Sequence, residues 1–236
     1  MLAPRRLRSM YERLVQTWGP QQWWPAQTPF EVVIGAYLTQ NTAWKSVERS
    51  IANLRTRGAL SVRSLRAISE AELRDLIRPS GFMLRKAAAL KAFVAFLDAS
   101  FSGRVSVLRR QAHAHPAAIR HRLLDLPGVG PETADAILLY ALGVPAMVVD
   151  EYFRRVATRH GLVHPQAKYA EIQSLGEAAF TTERAGESRD ALARHYNELH
   201  ALMVETGKLY CGRVPRCEGC PLAFDLKRAR LSRPGA

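Results

Sequence analysis

The chain has 236 residues, 47% of them hydrophobic, enough to bury a core in one domain or in two small ones, so a disordered chain is excluded. Lys and Arg number 34 against 21 Asp and Glu, a formal charge of +13, and that surplus points to a polyanionic partner, nucleic acid first. No apolar run approaches the roughly 18 to 20 residues of a membrane-spanning helix, so a membrane partner is not expected.

The first residues, MLAPRRLRSMYERLV, carry scattered charges and no continuous apolar stretch, which predicts a cytoplasmic protein rather than a secreted one. A turn follows at Trp18-Gly19-Pro20, then the aromatic run Trp23-Trp24-Pro25, the polar segment Leu38-Thr39-Gln40-Asn41-Thr42, and Trp44. Arg78-Pro79-Ser80-Gly81 marks another turn. Beyond it Leu90, Phe93, Val94 and Leu97 recur at i, i+3, i+4, i+7, the period of a half-buried helix. Further breaks fall at Ser102-Gly103, Pro127 to Gly130, Gly143 to Pro145 and Gly186. Helical period dominates and no strand alternation competes with it, which predicts an all-α fold.

The stretch Leu126 to Asp150 carries the most chemistry. In Pro127-Gly128-Val129-Gly130 two glycines can take positive φ, and Pro131 suits the first turn of the next helix. Such a turn presents backbone N–H groups to an anion. Ala134, Ile137, Leu138 and Ala141 then give that helix one buried face. Asp150 follows an apolar run and precedes Glu151-Tyr152-Phe153-Arg154-Arg155, which predicts a helix N-terminus whose dipole favours the ionised carboxylate.

Cys211, Cys217 and Cys220 are the chain's three cysteines. They cannot form a paired disulfide framework, and their clustering points to a metal site in a reducing compartment.

Hairpin, the connection Gly143-Val144-Pro145 and Asp150, in this order and spacing, resemble the helix-hairpin-helix DNA glycosylases. The resemblance implies two helical domains: a six-helix barrel over residues 28–145 with the hairpin, and a discontinuous domain of residues 1–27 and 146–236 with a catalytic Asp. It implies a monomer acting on double-stranded DNA that contains a damaged base, with the DNA across both domains and the base turned out of the stack into the cleft between them. Gly128 and Gly130 would hold a backbone phosphate. Gln40 would fill the gap left by the extruded base, its plain alternative being a turn residue. Asp150 would stabilise the oxocarbenium-like sugar or position a water.

Two further positions refine the expectation. In the bifunctional branch typified by endonuclease III, a hairpin lysine forms a Schiff base with the sugar and cleaves the strand. Here that position is Glu132, and a carboxylate cannot form an imine, so base removal without efficient strand cleavage is expected. Its plain alternative is an acid that complements the helix dipole. Trp23-Trp24-Pro25, Leu38 to Thr42, Arg78 to Phe82 and Ala134 to Leu138 together look like the 3-methyladenine glycosylase branch, in which Trp23, Trp24, Pro25 and Trp44 would form the base pocket. Indole faces attract a cationic alkylated purine by about 0.5 to 2 kcal/mol.

The C-x5-C-x2-C pattern resembles the iron–sulfur loop of the endonuclease III family, which has four cysteines; none stands near Leu226. A 4Fe–4S cluster is therefore lost, held by three thiolates and a substitute such as Asp225, or replaced by a weaker metal site. Arg213, Arg216, Lys227, Arg228 and Arg230 around it would contact phosphates or form a solvated tail. Lys208, near the end of its helix, would contact the base or tune Asp150 if buried, its plain alternative being an exposed lysine. Two readings stand beside the main one: an endonuclease III-like enzyme acting on oxidised pyrimidines, and a non-catalytic hairpin DNA-binding protein.

Overall fold

The computed structural model describes residues 2–21, 26–181 and 188–226. Among these the chain is helical and contains no strand, as the hydrophobic period predicts. It divides into two compact units, one of Met1–Trp23 with Pro145–Ala236 and the other of Trp24–Val144.

The chain opens with α1 (Ala3–Trp18) in the first unit and enters the second with α2 (Pro29–Leu38). Thr28 starts α2 by accepting the Glu31 amide at 3.1 Å, next to a proline whose fixed φ suits the first turn. Every residue from Phe30 to Leu38 is buried, so α2 is apolar all round and must be enclosed. It is enclosed by α3 (Trp44–Thr56), α6 (Met83–Phe101), α9 (Pro131–Ala136) and the π-helical turn Ile137–Ala141 that extends α9. Tyr37 and Phe30 of α2 meet Phe93 of α6 with ring centroids 6.1 and 6.5 Å apart. Glu31, the one charge in α2, is buried against Arg55 of α3.

Short helices α4 (Val62–Ala67) and α5 (Glu70–Leu76) begin at Ser61 and Ser69, each serine accepting the amide three residues on at 3.1 Å. A 3-10 turn, Arg78–Ser80, leads into α6, on which Leu90, Phe93, Val94 and Leu97 are buried. Helices α7 (Val105–Ala114) and α8 (Pro116–Leu124) then bring the chain to the Pro127 to Gly130 turn.

The first unit resumes with α10 (Glu151–Arg159), α11 (Tyr169–Thr181) and α12 (Arg189–Leu209), and α1 packs on α11 and α12. Two glycines set how closely these helices approach. A Cβ on Gly207 would lie 2.3 Å from the Tyr152 ring, and one on Gly176 would lie 2.6 Å from Met147. The unit is closed by a buried cluster. Arg6 of α1 donates to both oxygens of Asp225 at 3.0 and 2.7 Å and to the His160 carbonyl at 2.7 Å, while His160 Nδ1 lies 2.8 Å from Asp225 Oδ2. No helix among the described residues is long and apolar enough to cross a membrane.

Candidate active site

In the second unit the hairpin is α8, the turn and α9. Gly128 takes φ 75°, the left-handed conformation that favours glycine, and a Cβ there would lie 3.5 Å from Ala89. Gly130 stays extended at φ −95° as the N-cap of α9, so the turn uses the freedom of one glycine and not of both. Val129 N donates to the Leu126 carbonyl at 3.1 Å, closing the turn. Asp135, fully buried in α9, receives Arg120 of α8 through two bonds at 2.6 and 2.9 Å, a bidentate pair that fixes the two helices of the motif. Ala134, Ile137, Leu138 and Ala141 are all buried, and Glu132 is exposed in the first turn of α9.

Gln40 reaches the same turn. Its amide nitrogen donates to the Gly128 carbonyl at 2.8 Å and to Thr133 Oγ1 at 2.9 Å. Trp44, partly exposed at the first position of α3, donates its indole N–H to Glu48 at 2.9 Å. Trp23, Trp24 and Pro25 lie outside the described residues.

Two neighbours of this segment are not among the site residues that the sequence suggests. Phe82 is 59% exposed in a left-handed conformation, φ 47° and ψ 31°, at the start of α6. An aromatic held that way is costly in backbone energy and in exposure. Lys86 is buried one turn later and donates to the Leu38 carbonyl at 2.8 Å, Thr42 Oγ1 at 2.7 Å and the Ser80 carbonyl at 2.9 Å. Burial pushes its pKa down to about 8, yet three acceptors engage its ammonium, so it clamps the loops that carry Gln40 and Phe82. Only the left-handed geometry, which the sequence Gly81-Phe82 does not announce, distinguishes Phe82.

In the first unit Asp150 caps α10, its Oδ1 accepting the Phe153 amide at 2.7 Å. Its side chain is 15% exposed, and Oδ2 lies 3.5 Å from His200 Nε2 of α12. Burial raises the carboxyl pKa; His200, through hydrogen bonding and charge, and the Phe153 and Tyr152 amides outweigh it and hold Asp150 below the ordinary carboxylate value. His200 is not foreseen from sequence, because a lone histidine in an apolar helix gives no signal there. Lys208 is exposed at the end of α12.

The cysteine loop follows α12. Cys211 is buried, Cys220 half-buried and Cys217 exposed. Arginines of α10 hold the loop by its backbone: Arg155 donates to the Cys211 carbonyl at 2.7 Å, and Arg159 to the Gly212 and Arg213 carbonyls at 2.7 and 3.0 Å and to Cys211 Sγ at 3.2 Å. Asp225, the substitute ligand that the sequence suggests, is 1% exposed and engaged on both oxygens by Arg6 and His160, so it is not available to a metal. With that carboxylate engaged, Asp225 does not complete the four ligands of a 4Fe–4S cluster beside Cys211, Cys217 and Cys220. Arg213 and Arg216 are exposed; Lys227, Arg228, Arg230 and the Gly186 turn lie outside the described residues.

Residues 34–180 match the family described as HhH-GPD superfamily base excision DNA repair protein. The chain belongs to that superfamily. It is thus an enzyme of base excision repair, of the DNA glycosylase kind. A Methanocaldococcus jannaschii protein named as a DNA repair glycosylase is 38% identical over 213 residues, covering 90% of this chain and 92% of that one. Among solved structures, the H. pylori 3-methyladenine DNA glycosylase MagIII bound to 1,N6-ethenoadenine is 26% identical with a TM-score of 0.69, over 88% of this chain and 98% of that one. A trapped endonuclease III–DNA covalent intermediate shares the fold with a TM-score of 0.76 at 22% identity, over 98% and 100% of the two chains.

Proposed function

We propose that this glycosylase removes alkylated purines, 3-methyladenine first, from double-stranded DNA and leaves an abasic site without efficient strand cleavage. The observation that carries the second half is Glu132. It stands exposed at the first turn of α9, where the resemblance to endonuclease III calls for a lysine, and a carboxylate supplies no amine for a Schiff base. Lys86, the buried lysine with a lowered pKa, is engaged by three acceptors and does not substitute for it.

The remaining residues have consistent roles. The hairpin turn offers amides and a helix N-terminus to a backbone phosphate, a sequence-independent grip that weakens with salt. Extruding the nucleotide leaves a gap in the stack, and an exposed, conformationally fixed Phe82 suits an apolar wedge there. Gln40 stands beside the hairpin, but its amide nitrogen is engaged, so it supports the grip before it fills a gap. Ionised Asp150 stabilises the sugar cation as the base leaves. An alkylated purine is cationic and already a good leaving group, so one carboxylate and aromatic faces such as Trp44 suffice. Similarity to a 3-methyladenine glycosylase over most of both chains supports this substrate class.

A second reading, an endonuclease III-like enzyme for oxidised pyrimidines, draws on the shared fold of the trapped endonuclease III complex. A panel of duplexes carrying single lesions, with base release and strand scission scored separately, distinguishes them. Release of N-methylpurines with an intact strand supports the proposal, and scission on oxidised pyrimidines overturns it.

A further inference from the structure

Asp150 has two oxygens in different situations. Oδ1 is engaged by its own helix through the Phe153 amide at 2.7 Å, and Oδ2 faces His200 at 3.5 Å across the contact between α10 and α12. His200 is itself buried, and the helices that carry the pair are drawn together where Tyr152 lies over Gly207. Arg154 and Arg155, the basic residues that follow Asp150 on α10, have partners elsewhere. Arg154 donates to the Ala167 carbonyl at 2.5 Å and lies 4.0 Å from Glu151, while Arg155 is held by the Cys211 carbonyl and the Tyr152 ring. From α11 the Tyr169 hydroxyl lies 3.4 Å from Val149 N.

We propose that His200 is a positioning residue for Asp150, whose Nε2–H anchors Oδ2 and so fixes the direction in which the carboxylate charge faces the sugar. This rests on the reading of Asp150 as the glycosylase carboxylate. A carboxylate that only capped a helix would be served by the Phe153 amide; a second, buried ring nitrogen facing it from another helix is what a cap does not need. The 3.5 Å separation is an ion-pair distance, longer than an ordinary N–H···O hydrogen bond, and the anchor forms as substrate draws the two groups together. Net lowering of the Asp150 pKa, in which burial is outweighed first by His200, agrees with such an anchor.

The test compares full-length wild type, His200→Gln, His200→Leu and Asp150→Asn in single-turnover base release from a methylated duplex between about pH 4 and 8, with affinity for an uncleavable abasic-site duplex as the control. His200→Leu keeps bulk and removes the donor. Its rate is expected to fall on the order of 10- to 100-fold while duplex affinity holds, and the acidic limb of its pH profile moves to higher pH because Asp150 loses a group that lowers its pKa. His200→Gln, which can still donate, recovers most of the rate. Should His200→Leu not fold, His200→Asn, whose amide is too short to reach, takes its place with the same expectation. A donor-free or Asn variant with wild-type rate and acidic limb, beside an inactive Asp150→Asn, overturns the role of His200 and leaves Asp150 standing. An active Asp150→Asn overturns the reading of Asp150 itself.

Discussion

Gln40 and Thr133, 93 positions apart in sequence, meet through a 2.9 Å hydrogen bond beside the 2.8 Å bond from Gln40 to the Gly128 carbonyl. The loop after α2 is thereby fastened to the hairpin that would grip DNA. Removing the amide in Gln40→Ala loses two bonds worth roughly 1 kcal/mol each at most in net terms. Affinity for a duplex, measured by fluorescence anisotropy, is expected to fall several-fold while the slope of log affinity against log salt stays as in wild type, because no phosphate contact is removed. An altered slope would place Gln40 on the backbone instead.

The two hairpin glycines should respond differently to alanine. Gly128 is left-handed, so Gly128→Ala costs about 1 to 2 kcal/mol of local strain and weakens duplex binding. Gly130 is extended, and a Cβ added there would meet no atom within 4 Å, so Gly130→Ala is expected to bind and melt like wild type. Equal losses in both variants would mean that the second glycine is needed for close approach of the ligand.

Gly207→Ala tests the spacing of α10 and α12. A methyl there meets the Tyr152 ring at 2.3 Å, so the helices must part, at a cost of about 1 to 3 kcal/mol. The expected outcome is a lower melting temperature together with a slower excision rate, since Asp150 caps one of these helices and His200 sits on the other. Rate loss alone, with unchanged melting, would contradict the packing argument.

Much of this was legible in the sequence. The buried face of α9, the helical period of α6 and the start of α10 at Asp150 depend on local spacing, which one sequence displays. What escaped depends on contacts between distant residues or on backbone conformation. Arg6 and Asp225 are 219 positions apart, and nothing near Asp225 marks it as an ion-pair partner rather than a ligand. Ile137 to Ala141 reads as a continuing α-helix but forms a π-helical turn. Phe82 belongs to the Arg78 to Phe82 stretch, but its exposure follows from backbone conformation, since Gly81 and Phe82 both take positive φ.

The Arg6–Asp225–His160 cluster gives a pH prediction. Burial raises the Asp225 pKa, but His160 and Arg6 outweigh it and bring it to about 2, below its unfolded value. A depressed carboxylate stabilises the fold above its unfolded pKa, and that contribution is lost as pH falls toward the folded one. Asp225→Asn should therefore melt lower than wild type at pH 7, by about 3 kcal/mol for a broken buried pair. The difference should narrow below about pH 4. A gap that stayed constant from neutral to acid pH would rule out the charge as its source.

Because the chain has three cysteines and Asp225 is engaged by Arg6 and His160, freshly purified protein is expected to show no broad absorption near roughly 400 nm. Chelator treatment should leave its melting temperature unchanged. A 400 nm band with stoichiometric iron would show that another group completes the site.

The central claim, base removal without a lysine-mediated strand break, is tested most directly by incubating the enzyme with a 3-methyladenine duplex under borohydride and scoring released base and covalent adduct in the same reaction. Free base with no protein–DNA adduct is the predicted result. A borohydride-stable adduct through any lysine would contradict it.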